Sequence, residues 1–180
     1  LTDAAVFNTL ENKMLPSRAA KAAETIRPSV VLVRGFVEIA PGKRNAKPKP
    51  KPKPMRPELG KSGDDSGKPK PLEIPEGLEE HGVGSGVVIV DNGTILTNLH
   101  VIHGTKLIRV TFHDGTESDA QVLGIHPEND LAVIKAMTIP DDLPVATLGS
   151  AARLKPGDEV VAVGFPFGIG PSVSAGVVSG

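Results

Sequence analysis

The feature that most constrains this chain is a series of short β-branched segments between residues 84 and 136, each closed by a turn signal. Residues 87–90 are followed by Asp91-Asn92-Gly93 and then by an apolar return over 94–97. Residues 107–112 are followed by Asp114-Gly115, and then come 117–125 and 131–136. Asn-Gly between two apolar runs predicts a tight hairpin with a primed turn. Segments this short and evenly spaced belong to an antiparallel barrel or sandwich, not to alternating strands and helices. An earlier β-branched run over 29–40, holding Val30, Val31, Leu32, Val33, Phe36, Val37 and Ile39, brings the strand count to six, enough to close a small barrel. With five Phe and neither Tyr nor Trp, the core must rest on Val, Ile, Leu and Ala, as sheets favour.

Around this body the sequence changes character twice. Residues 17–27 are good helix formers behind a Ser17 cap and stop before Pro28, which predicts a short N-terminal helix. Between residues 41 and 75 lie nine of the seventeen prolines, including an unbroken Lys-Pro alternation from Lys47 to Pro54. Eight Lys or Arg stand against one acid between 41 and 61, a local excess of +7 in a chain whose net charge is -1. Alternating Lys and Pro favours polyproline II, at about 3.1 Å per residue, and like charges stiffen it further. The expectation is a long, disordered insertion over 41–80, partly neutralised by Glu73, Glu76, Glu79 and Glu80. A solvated spacer is the preferred reading over an arm docking on an anionic surface or polymer, or a proline-rich ligand for a groove.

The expected organisation is therefore an N-terminal segment over 1–28, a first barrel over 29–148 interrupted by that insertion, and the opening strands of a second barrel over 149–180. In the last part, a turn at Lys155-Pro156-Gly157-Asp158 feeds strands over 159–163 and 172–178, with Gly164-Phe165-Pro166-Phe167-Gly168 as the bend between them. Whole-chain charge gives no reason to expect a nucleic-acid partner. The absence of cysteine excludes a disulfide framework and a thiolate metal site. No apolar run approaches the roughly 20 residues that span a bilayer. A start at Leu1, without Met, basic start or apolar signal core, reads as a processed or truncated product.

Two residues inside apolar strand patterns can do proton chemistry. His100 comes after Thr97-Asn98-Leu99, directly behind a strand, and Asp130 opens another strand behind Pro127-Glu128-Asn129. An imidazole activates a serine hydroxyl when a carboxylate holds it in the right tautomer. The surrounding segments sharpen this. Gly84-Ser85-Gly86-Val87-Val88, then Ile95-Leu96-Thr97-Asn98-Leu99-His100-Val101-Ile102, then Asp130-Leu131-Ala132-Val133-Ile134-Lys135, then Gly157-Asp158 and Gly164-Phe165-Pro166-Phe167-Gly168, resemble in order and spacing the trypsin-like serine proteases of the HtrA (Deg) family. The resemblance covers residues 28–180, apart from the insertion.

That resemblance implies an all-β, trypsin-like double barrel with the first six-stranded barrel complete and the second only begun. It implies His100 as catalytic base, Asp130 as its orienting acid and no cofactor. It further implies misfolded or extracytoplasmic protein substrates, a periplasmic setting and a homotrimer formed through N-terminal segments, where Phe7 is the one aromatic. The family's Gly-Asn-Ser-Gly-Gly nucleophile motif does not occur in the 180 residues, so the serine is expected beyond Gly180 and this chain alone is expected not to cleave peptides. Leu99 stands where the family more often has Asn or Ala. A rival reading is a non-catalytic, protease-like binding protein, against which the joint presence of His100 and Asp130 argues.

Other candidates are read structurally. His103, His113 and His126 lack metal-ligand spacing and are expected to be solvated imidazoles. Ser85 lies between glycines that let the backbone pass close to a neighbour and lacks the setting of a nucleophile elbow. Gly164–Gly170 has no Lys-Ser/Thr or helix after it to cradle a phosphate.

Overall fold

Ser17 starts the first element as expected. Its Oγ accepts a hydrogen bond from the Ala20 N–H at 3.2 Å, capping helix α1 (Arg18–Ile26), and Pro28, which has no N–H to give, turns the chain through a short 3-10 segment (Arg27–Ser29). The computed structural model describes residues 17–39 and 72–180. Phe7 and the Lys-Pro run lie outside the described residues.

Six antiparallel strands come next: β1 (Val30–Glu38), β2 (Leu78–Val90), β3 (Thr94–Asn98), β4 (Leu107–Thr111), β5 (Glu117–His126) and β6 (Leu131–Ala136). They close into a barrel in the order β1-β2-β3-β6-β5-β4. The fold is all-β with a complete first barrel, as the segment pattern predicts. Closure pairs both edges of the sheet, so no strand of the barrel is left open for intermolecular pairing.

The interior is set by alternation. In β6, Ala132, Ile134 and Ala136 are buried while Leu131, Val133 and Lys135 are only partly covered. Val31, Val33, Val88, Ile95, Val110 and Ile134 have no measurable exposure, and burying each contributes about 1.5–3 kcal/mol. Gly86 stands where this core is most crowded: a Cβ there would come within 2.7 Å of Ile95 Cγ2 and 2.9 Å of Val33 Cγ2.

Two expectations are corrected. The β2–β3 connection is a hairpin, but the turn is not primed. Asp91, Asn92 and Gly93 form a three-residue loop in which the Gly93 N–H donates to the Val90 carbonyl at 3.1 Å, and of the three only Gly93 has positive φ, at +86°. An ordinary turn followed by one left-handed glycine also fits the register shift beside it, between Val88 and Val90. The second correction concerns β2, which begins at Leu78 and not at 87. Glu79 and Glu80, expected in the insertion, pair with Val37 and Phe36 of β1.

The chain is already fixed to the barrel before β2 starts. Arg109, only 4% exposed in its side chain, donates from Nη1 to the carbonyls of Leu72 at 2.7 Å and Glu73 at 3.1 Å, and from Nε to Asp119 at 3.1 Å. Glu117 accepts from the Leu72 N–H at 2.7 Å and also pairs with Arg34. Arg34 and Arg109 are directly opposed across β1 and β4, a repulsive placement that these carboxylates and carbonyls offset.

Beyond the barrel, β7 (Glu159–Gly164) and β8 (Ser172–Val177) form a two-stranded antiparallel sheet. Pro166–Gly168 makes the expected bend between them. Ser85 ties this sheet to the barrel: its Oγ accepts from the Phe165 N–H at 2.8 Å, while its carbonyl accepts from Thr97 Oγ1 at 2.8 Å. Among the described residues, no helix is long and apolar enough to cross a membrane.

Candidate active site

The register between β3 and β6 decides which residues meet at one end of the barrel. Asn98, the last residue of β3, is opposite Leu131, the first of β6. Residues just after Asn98 and residues just before Leu131 are therefore neighbours, although about thirty positions of sequence separate them.

His100 was expected at a strand end and lies instead on a single helical turn, α2 (Leu99–Ile102). The turn forms because Val101 and Ile102 enter the barrel core, with Leu99 partly packed against it, which leaves His100 on the outer side. Asn98 makes no side-chain cap. The helix start is satisfied from the neighbouring strand end: the Leu99 N–H donates to the Asp130 carbonyl at 3.0 Å, and the His100 N–H donates to Asp130 Oδ1 at 2.9 Å.

Asp130 closes a 3-10 turn over Pro127–Asn129, its N–H donating to the Pro127 carbonyl at 3.1 Å. Its φ of 51° and ψ of 41° are left-handed, a conformation that Asp and Asn tolerate better than most side chains. In that conformation Oδ2 lies 2.6 Å from His100 Nδ1, and the Asn98 amide donates to the same oxygen at 3.3 Å. The hydrogen bond from the His100 ring holds the Asp130 carboxyl below its ordinary pKa, with the His100 N–H and the Asn98 amide acting in the same direction.

One carboxylate thus holds both the helix and the ring it carries. With Nδ1 donating to Asp130, Nε2 is the imidazole's free acceptor, and it takes no hydrogen bond from the described residues. The ring is 70% exposed and borders a shallow depression of about 300 Å³ lined by His81, Leu99, His100, His103 and Asp130. An imidazole oriented in this way, with Nε2 left without a partner, can take a proton from a hydroxyl brought to it.

The structure brings His100 and Asp130 together. Ser85 is engaged elsewhere, with Phe165. His103 is exposed as expected, yet it shares the depression with His100. His126 is not simply solvated, since its Nδ1 lies 3.1 Å from Glu128 Oε2. His81 was missed because the part of β2 that carries it reads as loop in sequence. Among the described residues, no group of three or more His, Cys, Asp or Glu is placed to hold a metal ion.

Residues 84–180 match the family described as trypsin-like peptidase domain. The chain is 42% identical over 105 residues to a protein of Marinomonas sp. named as a DegP-like periplasmic serine endoprotease, covering 58% of this chain and 22% of that one. A protein of Hahella chejuensis with the same name is 40% identical over 138 residues, 66% of this chain and 29% of its own. A Synechocystis protein named as serine protease HhoB is 38% identical over 100 residues, 56% of this chain and 24% of its own. The chain spans about a quarter of the length of these relatives.

Proposed function

The chain belongs to the trypsin-like peptidase family, and on that premise we propose that it carries the general base and orienting acid of an HtrA-type serine endopeptidase. His100 Nε2 takes the proton of a serine hydroxyl as its oxygen attacks the scissile carbonyl, and later returns that proton to the leaving amine. Asp130 keeps the ring in the Nδ1–H tautomer and stabilises the imidazolium that forms in between. The observation that carries this reading is the 2.6 Å contact between His100 Nδ1 and Asp130 Oδ2, on an exposed ring that borders a shallow depression.

The 180 residues hold no Gly-Asn-Ser-Gly-Gly motif, and on this proposal the nucleophile is a serine supplied from outside them. The relatives' names support protein substrates and a periplasmic setting. Misfolded substrates and a homotrimeric assembly belong to the same proposal. The test uses the intact gene product: casein cleavage and labelling by a fluorophosphonate are both expected to disappear in His100→Ala. Undiminished cleavage in that variant would mean that the base is another residue.

A further inference from the structure

The turn that carries His100 rests on a floor made by glycines of β1 and β2. Gly35 and Gly82 are paired across the two strands, immediately before the register shift at Phe36. The carbonyl oxygen of Val101, next in sequence to His100, sits directly over this pair. A Cβ on Gly82 would lie 2.1 Å from that oxygen, 3.0 Å from the Val101 carbonyl carbon and 3.2 Å from its Cα. A Cβ on Gly35 would lie 2.7 Å from the same oxygen and 2.5 Å from Thr105 Cγ2. Gly84, two residues on, differs in kind, because its Cβ would meet a side-chain methyl, Val101 Cγ2, at 2.5 Å.

None of the three glycines has a left-handed φ, so no turn demands them. The requirement is space. We propose that Gly82, with Gly35 opposite it, is a positioning residue for His100: the absence of a side chain there lets α2 sit deep enough for the ring to reach Asp130. This rests on His100 being the base.

The displacement can be sized. Relieving a 2.1 Å approach to ordinary contact, which begins at 3.4 Å, needs a movement of more than about 1 Å, and the clash is with backbone that no rotamer change can move aside. A movement of about 1 Å at a catalytic group costs on the order of 10²-fold in rate. The hydrogen bond of 2.6 Å between the ring and Asp130 would lengthen beyond hydrogen-bond range.

The experiment compares Gly82→Ala and Gly84→Ala in the intact protein, each with and without Val101→Ala. In folded Gly82→Ala, kcat is expected to fall about 10²-fold with KM within about twofold, and Val101→Ala does not restore it, because every residue at 101 keeps the carbonyl. The loss in Gly84→Ala is expected to be relieved by Val101→Ala, with the double variant within about threefold of Val101→Ala alone, since the contact there is with a side chain. A folded Gly82→Ala with wild-type kcat overturns the proposal, and so does its rescue by Val101→Ala. If Gly82→Ala yields no folded protein, the Gly84 and Val101 cycle decides, and independent losses at those two sites overturn the seat. His100→Ala run in parallel separates the two ideas: activity surviving there removes the base assignment, whereas an inactive His100→Ala beside a normal Gly82→Ala removes only the positioning role.

Discussion

Replacing Asp130 by Asn preserves size and leaves one question, which nitrogen of His100 carries the proton. Three donors converge on the carboxylate: the His100 N–H on Oδ1 at 2.9 Å, and His100 Nδ1 at 2.6 Å and Asn98 Nδ2 at 3.3 Å on Oδ2. An amide offers one acceptor side and one donor side. The His100 N–H is fixed in place at the start of α2, whereas the Asn98 amide has a second acceptor in the Asp130 carbonyl at 3.2 Å, so the amide oxygen stays with the backbone. Its NH₂ then faces the ring, Nδ1 becomes the acceptor, and the proton moves to Nε2, the nitrogen that receives the serine proton in the proposed mechanism. Inverting the tautomer while keeping the geometry costs about 10⁴-fold in kcat in a triad of this kind, compared with about 10⁶-fold for losing the imidazole. The assay is hydrolysis of a fluorogenic peptide by the intact protein, with circular dichroism and Tm to show that the fold is kept. The expected result is a loss in kcat with KM little changed, together with slower fluorophosphonate labelling. A folded Asp130→Asn within tenfold of wild type would refute the argument.

The polar contacts carry two further expectations. Asp130 and Asp114 both titrate below the ordinary carboxylate range; for Asp114, burial works in the opposite direction and is outweighed by hydrogen bonds from the Thr116 hydroxyl at 2.7 Å and N–H at 2.9 Å. A depressed native pKa adds stability that is fully present above the unfolded value, near 3.9, and is lost as pH falls through the native value below it. Urea midpoints should therefore drop as pH falls below about 4, less steeply in Asp114→Asn, and equal slopes would count against the Thr116 contacts. Arg109→Met should cost about 1–3 kcal/mol, mainly through the unmet carbonyls of Leu72 and Glu73, because Asp119 is 46% exposed and its ion pair is screened. New protease cleavage near residues 72–75 should accompany that loss. An unchanged urea midpoint and digest would show that Arg109 does not fasten this stretch.

The strands were legible where a closed barrel imposes alternation and a β-branched core, and turn residues marked where they end. Turn type was not legible, because Asn92-Gly93 suits a primed hairpin as well as it suits the turn and left-handed glycine that form. The first half of β2 was hidden by its composition: Glu79, Glu80, His81, Gly82 and Gly84 read as loop, and only pairing with β1 makes them strand. With that half went His81 and the glycine floor under α2. The helix itself has four residues, too few to show a period, and its start is satisfied by an acid far away in sequence.

The segments around them single out His100 and Asp130 as a candidate pair, but their distance could not be read from sequence, and the reason lies in the core. A one-residue slip between β3 and β6 would turn Ala132, Ile134 and Ala136 outward and would carry Asp130 away from the start of α2. Ile95 is opposite Ile134 across these two strands, and both are fully buried, so the packing that penalises the slip sits only a few residues from the site it aligns. The strand register chosen by apolar burial is thus the same register that places a carboxylate where an imidazole needs it. The geometry of an exposed, polar pair is set here by residues buried inside the barrel.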